Sequence, residues 1–212
     1  MAELSTSKEK QILSVAMQVF LERGFHGAKM QEIADRAGVN KAMLHYYFRS
    51  KDRLYAMIFE KLFMEFMNSI ADSFEAEGDL ASTLKHFINS IIDRLRQTPD
   101  LPLFVARELS WGGPVVYKTI RRMLQKNRFK TPQIILDEIE NAKQRGEIDS
   151  SLDPVQFIFT LVGSCIYPFL ARPIVESIFP ELIENWETLL EQRKEAVFRV
   201  LYYGIKGEGT NA

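Results

Sequence analysis

Apolar positions recur along this chain with the period of an α-helix from near one end to the other. Leu54, Ile58, Leu62, Phe66, Ile70 and Phe74 come round every four residues and predict a long helix from about Lys51. Gly78-Asp79 stops that helix and caps the next, Leu80 to Gln97, with Leu84, Phe87, Ile88, Ile91, Ile92 and Leu95 inward. Pro99 and Pro102 break the pattern, and a short helix from Leu103 to Trp111 ends at Gly112-Gly113-Pro114. Val115 to about Arg128 is helical again. Thr131-Pro132 reads as a cap followed by Pro in the first turn, opening a helix that runs to Gly146. Asp153-Pro154 repeats the device and opens a helix to about Ala171, and Glu181 to Gly204 makes the last long one. No strand pattern, internal repeat or low-complexity tract is present, so the expected class is all-α with about nine helices.

The N-terminal segment follows the same rule in shorter pieces. Thr6 and Glu9 match a capping box, which starts the first helix near Ser7. Ile12, Leu13, Ala16, Val19 and Phe20 form its buried stripe, Gly24 ends it, and Phe25 anchors the loop after it. From Met30 to Leu54 the chain reads as a short helix, a tight turn at Gly38, a second short helix from Lys41 capped by Asn40, and a link into the long helix. Ile33 and the small Ala34 let the two short helices approach. Val39, Leu44, Tyr47 and Phe48 turn inward, while Lys41, Ala42, His45 and Arg49 face out. Two short helices packed crosswise beneath one exposed, positive face suit a helix-turn-helix, whose second helix enters the DNA major groove.

Ile33-Ala34, Ala37-Gly38-Val39, Leu44, Phe48 and Ser50-Lys51, followed by Leu54, resemble the N-terminal domain of TetR-family transcriptional regulators. The likeness runs from about Lys8 to Tyr55; beyond that it is one of helix order and length. It implies a helix-turn-helix DNA-binding domain over residues 1–50 and a larger helical effector-binding and dimerisation domain over 51–212. It further implies that Lys41, Ala42 and His45 face base edges, with Gln31 also in reach of a base, and that Tyr46 and Lys51 contact phosphate. Three positions depart from the family's habit. Ala28-Lys29 stand where a small hydroxyl residue is usual, so Lys29 is the replacement phosphate contact. Met43 stands in place of Thr, and His45 in place of Tyr.

The 212 residues carry a net charge of −1, which points to no nucleic acid, but the charge is unevenly placed. Residues 1–56 hold nine Lys/Arg against six Asp/Glu, and the remainder eighteen against twenty-two. The basic excess lies on the motif, as a DNA-reading head on a body that does not touch DNA requires. A single cysteine, Cys165, excludes an internal disulfide and a cysteine metal site and predicts a buried, reduced thiol. The polar N-terminus has no signal-peptide character, and the most apolar run, Phe157 to Leu170, is shorter than the roughly 20 residues of a membrane span. The expectation is a cytoplasmic protein.

The helix from Val155 to Leu170 is apolar on nearly every side and so must bury two faces. With the last helix it resembles the family's dimer face, through Phe157, Leu161 and Phe169 on one helix and Trp186, Leu189, Val197 and Leu201 on the other. The resemblance also implies an enclosed effector. Phe63, Phe66, Met67, Phe87, Phe104, Trp111, Tyr117 and Met123 are the aromatic and thioether candidates, with Arg107 and Glu108 as polar groups. No catalytic constellation, metal set or phosphate-cradling glycine loop occurs, so neither catalysis nor a cofactor is expected. The reading is a homodimeric regulator, most often a repressor in this family, released from a palindromic operator by a small, largely apolar effector. Its rivals are a helical small-molecule-binding protein or enzyme with a vestigial head, and a purely structural interaction protein.

Overall fold

The computed structural model describes residues 2–71, 79–110, 113–125 and 131–206, and these contain eleven helices and no strand. The chain divides into two compact units. The first comprises Met1–Glu65 and Asp100–Arg128, and the second Phe66–Pro99 and Phe129–Ala212. The unit holding the helix-turn-helix is therefore larger than residues 1–50, because helices from later in the chain pack with it. The fourth helix, α4 (Lys51–Ala71), is continuous across the division between Glu65 and Phe66.

In the first unit, α1 (Ala2–Gly27) packs on α2 (Met30–Arg36) and on α6 (Leu101–Ser110), and α2 packs on α3 (Lys41–Phe48). α7 (Pro114–Gln125) completes the set. The stripe Ile12, Ala16, Val19 and Phe20 is buried, as are Ile33, Ala34, Leu44 and Phe48. Leu54, Ile58 and Leu62 of α4 are buried on its four-residue period, as is Ile70 in the second unit; Phe66 is half-buried and Phe74 lies outside the described residues. Tyr55 is fully buried. Its ring lies 4.8 Å from Phe20 of α1, 5.0 Å from Phe25 and 5.5 Å from Phe104 of α6, centroid to centroid. The start of α1 differs from expectation. The helix begins at Ala2, so Thr6 and Glu9 lie inside it rather than at its cap. Ala, Glu, Leu and Lys at this end are strong helix formers and carry the helix past the local capping signal. Gly24 does interrupt α1, with φ 66° and ψ −179°.

In the second unit, α5 (Leu80–Gln97) packs against α8 (Thr131–Gln144), α9 (Pro154–Ile178) and α11 (Trp186–Gly204). Its expected inward residues, Leu84 to Leu95, are all buried, and the Asp79 side chain caps it by accepting the Ser82 N–H at 2.8 Å. α8 closes at Gly146, φ 70°, where Gly146 N–H bonds Lys143 C=O and Glu147 N–H bonds Ala142 C=O, both at 3.0 Å. That pair is a Schellman motif. The expected last helix is two. Phe179-Pro180 opens the short α10 (Pro180–Glu184), and the chain bends at Asn185 before α11.

α9 is the longest departure. It runs past Ala171 and through Pro173 to Ile178, 25 residues in all. Its most apolar stretch has mean hydropathy 1.6, so by length and composition it is sufficient to cross a membrane, which the run Phe157–Leu170 alone is not. One side of it packs against α5, α8, α10 and α11. Pro168 within it has no N–H, which deprives the Ser164 carbonyl of its helical donor. Arg193 of α11 supplies the replacement, with Nε at 3.2 Å and Nη2 at 2.9 Å from that oxygen. Next to it Cys165 is fully buried, and burial pushes its thiol up to about 12.

Removing Arg193 leaves that carbonyl without either donor. Urea denaturation of Arg193→Leu should show a loss of about 1–3 kcal/mol. In a Pro168→Ala background the helix recovers its own bond and the same substitution should cost clearly less; equal costs in both backgrounds contradict this role.

Candidate nucleic-acid interface

The turn between α2 and α3 is built by backbone chemistry. Gly38 takes φ 62°, its N–H bonds Asp35 C=O at 3.2 Å, and the Val39 N–H bonds Ala34 C=O at 3.0 Å. This second Schellman motif satisfies the last carbonyls of α2 and redirects the chain within three residues. Asn40 then starts α3, its side chain accepting the Met43 N–H at 2.7 Å. Leu44 and Phe48 are buried against α2, which fixes the rotation of α3 about its axis. Lys41, Ala42, His45 and Tyr46 are therefore presented outward. Tyr46 is 81% exposed, and its ring meets that of Tyr47 edge-on at 5.5 Å.

The exit from α3 is strained. Arg49 adopts φ 61° and ψ −43°, and the Ser50 N–H bonds Phe48 C=O at 2.7 Å, a γ-turn of positive φ. The His45 ring approaches the Arg49 carbonyl at 3.2 Å. Ser50 Oγ accepts the Arg53 N–H at 3.2 Å and so caps α4, which begins with Lys51.

Charge sorts the cations of this unit into two kinds. Arg23 and Arg36 are held by Glu22 and Glu32 at 2.8–2.9 Å and serve the α1–α2 seam. Lys29 and Lys41 make no ion pair among the described residues, nor do Arg49 and Arg53. Exposed, unpaired cations around one helix are what phosphate neutralisation requires. Arg49 and Arg53 join the expected set by their place at the α3–α4 turn; their unpaired state depends on the fold and has no mark in the sequence. Gln31 is exposed and donates to Asp35 at 2.8 Å. Lys51 is half-buried. Its Nζ lies 4.7 Å above the Phe25 ring and donates to the His26 carbonyl at 3.4 Å, and desolvation lowers its pKa.

Residues 12–58, covering α1 through the first turns of α4, match the family described as bacterial regulatory proteins, tetR family. The chain belongs to the TetR family. The HTH-type transcriptional regulator RutR of Escherichia coli K12 is 26% identical over 201 residues, covering 95% of this chain and 92% of RutR. The HTH-type transcriptional activator FasR of Mycolicibacterium smegmatis is 34% identical over 83 residues, covering 39% of this chain and 38% of FasR. The solved transcriptional regulator FadR from Bacillus subtilis, in complex with stearoyl-CoA, shares the fold with a TM-score of 0.70 at 19% identity, covering 93% of this chain and 99% of that one. The protein is thus a TetR-family helix-turn-helix transcriptional regulator, and its relatives are regulators rather than enzymes.

The residues expected around an effector fall into different settings. Phe63, Phe104, Arg107, Glu108, Tyr117 and Met123 belong to the first unit, Phe66, Met67 and Phe87 to the second, and Trp111 lies outside the described residues. Phe104 and Met123 are buried core, while Tyr117 is exposed. Arg107 and Glu108 line a cleft of about 310 Å³ with Arg23, Gly24, Phe25, His26 and Gly27, at the end of α1, rather than with the aromatic set.

The residues expected at the dimer face are also placed otherwise. Phe157, Leu161, Phe169, Trp186, Val197 and Leu201 are buried inside the second unit of a single chain, and Leu189 is half-buried. The outward stripe of α9 is the one offset by two residues: Val155, Phe159, Gly163, Tyr167, Leu170, Ile174 and Ile178. Val200 and Tyr203 of α11 are exposed as well. Both stripes are apolar, so the repeat alone does not say which faces in.

Gly38 has no atom near the position a Cβ would take, so a substitution there meets only backbone strain. Gly38→Ala should cost about 1–2 kcal/mol in thermal unfolding. Asn40→Ala should cost about 1 kcal/mol, with Asn40→Asp restoring it. An unchanged midpoint in both Ala variants contradicts this account of the turn.

Proposed function

We propose that the protein is a cytoplasmic, homodimeric repressor that reads a palindromic operator through α3 and releases it when a small, largely apolar effector binds. The observation that carries the reading is the outward set Lys41, Ala42, His45 and Tyr46 on a helix whose rotation is fixed by buried Leu44 and Phe48. Lys41 suits guanine O6 and N7, Gln31 suits adenine, and Ala42 suits a thymine methyl. Lys29, Tyr46 and Lys51 then hold phosphates and set register.

A single short helix reads few base pairs, so a second copy is needed. The outward stripe of α9, with Phe159 68% and Val200 of α11 73% exposed, supports a twofold interface between copies. Such a dimer presents two α3 helices to half-sites about 34–36 Å apart or a multiple of that. The effector acts by preferring the dimer shape whose heads do not match the operator, with α4, shared between the two units, as the connecting element. Half-buried Phe66 and Met67 of the second unit suit an apolar ligand. The stearoyl-CoA held by Bacillus subtilis FadR makes acyl thioesters the first compounds to try.

Selection from a random duplex library should enrich inverted half-sites. Lys41→Ala should weaken binding to the selected duplex by about 1–3 kcal/mol and relax one base position. No enrichment, or wild-type binding by Lys41→Ala/Lys51→Ala at every salt concentration, contradicts DNA reading. In sedimentation the wild type should run as a dimer without detergent. Phe159→Asp/Val200→Asp should run as a folded monomer whose affinity for the two-half-site duplex falls by about 10²-fold or more. A dimer that survives the double substitution places the interface elsewhere.

A further inference from the structure

Glu108 is an unusual residue to find where it is. Only 5% of it is exposed, and its carboxylate does not face a guanidinium or ammonium at salt-bridge distance among the described residues. Its Oε1 accepts the backbone N–H of Phe25 at 2.9 Å. That N–H follows Gly24, where α1 loses its helical dihedrals and with them the ordinary helical acceptor. Gly24 itself is close enough that a Cβ would stand 3.6 Å from the same oxygen. A second tie from α6 lies beside it, Arg107 donating to the Glu22 carbonyl at 3.4 Å.

What the Glu108 carboxylate holds is the platform of Lys51. The Phe25 ring lies beneath the Lys51 ammonium, and the neighbouring His26 carbonyl accepts from it. Phe25 is further wedged edge-on against Tyr55 and His26, so its ring follows its backbone closely. A cation over an aromatic face is held in direction as well as in energy.

We propose that Glu108 is a positioning residue for DNA binding: by fixing the Phe25 backbone it seats the Lys51 ammonium, at the start of α4, for its phosphate. This rests on the reading of Lys51 as a phosphate contact above. It gives Glu108 a role in the head instead of in an effector site. Loss of Glu108 frees the Phe25 N–H, loosens the ring and lets the Lys51 side chain leave its direction, so the phosphate contact is lost without any change in a DNA-touching residue.

The test is the salt dependence of binding to the duplex that the wild type selects, read by fluorescence anisotropy. Glu108→Ala should weaken binding and flatten the plot of log affinity against log salt by about 1 for each protomer bound, as the loss of one phosphate contact does. Lys51→Gln should flatten it equally, and Glu108→Ala/Lys51→Gln no further than Lys51→Gln alone. Glu108→Gln removes the charge but keeps an oxygen acceptor for the Phe25 N–H, and should retain the wild-type slope. A wild-type slope in Glu108→Ala, or additive flattening in the double variant, overturns the proposal. Should Glu108→Ala fail to fold, Phe25→Leu removes the platform and keeps the apolar bulk; a wild-type slope there overturns it as well. If the wild type selects no duplex, the DNA-reading function itself fails, which is a different result.

Discussion

The first unit closes on the ring of Tyr55. Two helices distant in sequence meet there, α1 through Phe20 and Phe25 on either side of its break at Gly24, and α6 through Phe104. Burying an aromatic of this size removes a large apolar area from water, and edge-to-face contacts add direction to that driving force. Because Tyr55 is one turn into α4, the start of α4 is fixed relative to α1, and α3, which feeds it through a strained γ-turn, has little freedom left. The hydroxyl makes no well-formed hydrogen bond among the described residues, and burial, followed by the neighbouring Glu108 carboxylate, holds its pKa well above the usual phenol. The ring's apolar contacts, not its polar end, therefore carry the joint.

From that joint the rest of the head can be derived. α2 and α3 need only a short apolar contact, Ile33 and Ala34 against Leu44 and Phe48, because the Schellman turn at Gly38 and the Asn40 cap satisfy the backbone groups that so short a pair leaves open. The outward side of α3 is then free of structural duty. Its side chains carry no core contact, so the departures from family habit, Met43 and His45, sit there without cost to the core.

Much of this was legible in the residues. The four-residue period of α4, the inward face of α5 and the Asp79, Asn40 and Asp153 caps are local signals that tertiary packing left in place. The start of α1 was misread because a capping box competes with strong helix formers on both sides of it. The break at Asn185 was misread because Leu182, Trp186 and Leu189 keep helical spacing across it. The two stripes of α9 are equally apolar, so only the structure shows that Phe157, Leu161 and Phe169 face in. Glu108 was legible as a polar group worth watching. Its partner is a backbone N–H 83 positions away, freed by a glycine dihedral, and no side-chain pattern announces such a donor.

Pro168 and Arg193 carry a consequence beyond this one chain. The proline removes a donor, and the arginine exists at its place on α11 to supply two. A related sequence with an ordinary residue at the first position has no need of a guanidinium at the second, and one that keeps the proline has few other side chains long and fork-shaped enough to serve. The two positions lie on different helices, yet a substitution at one alters what the other has to supply.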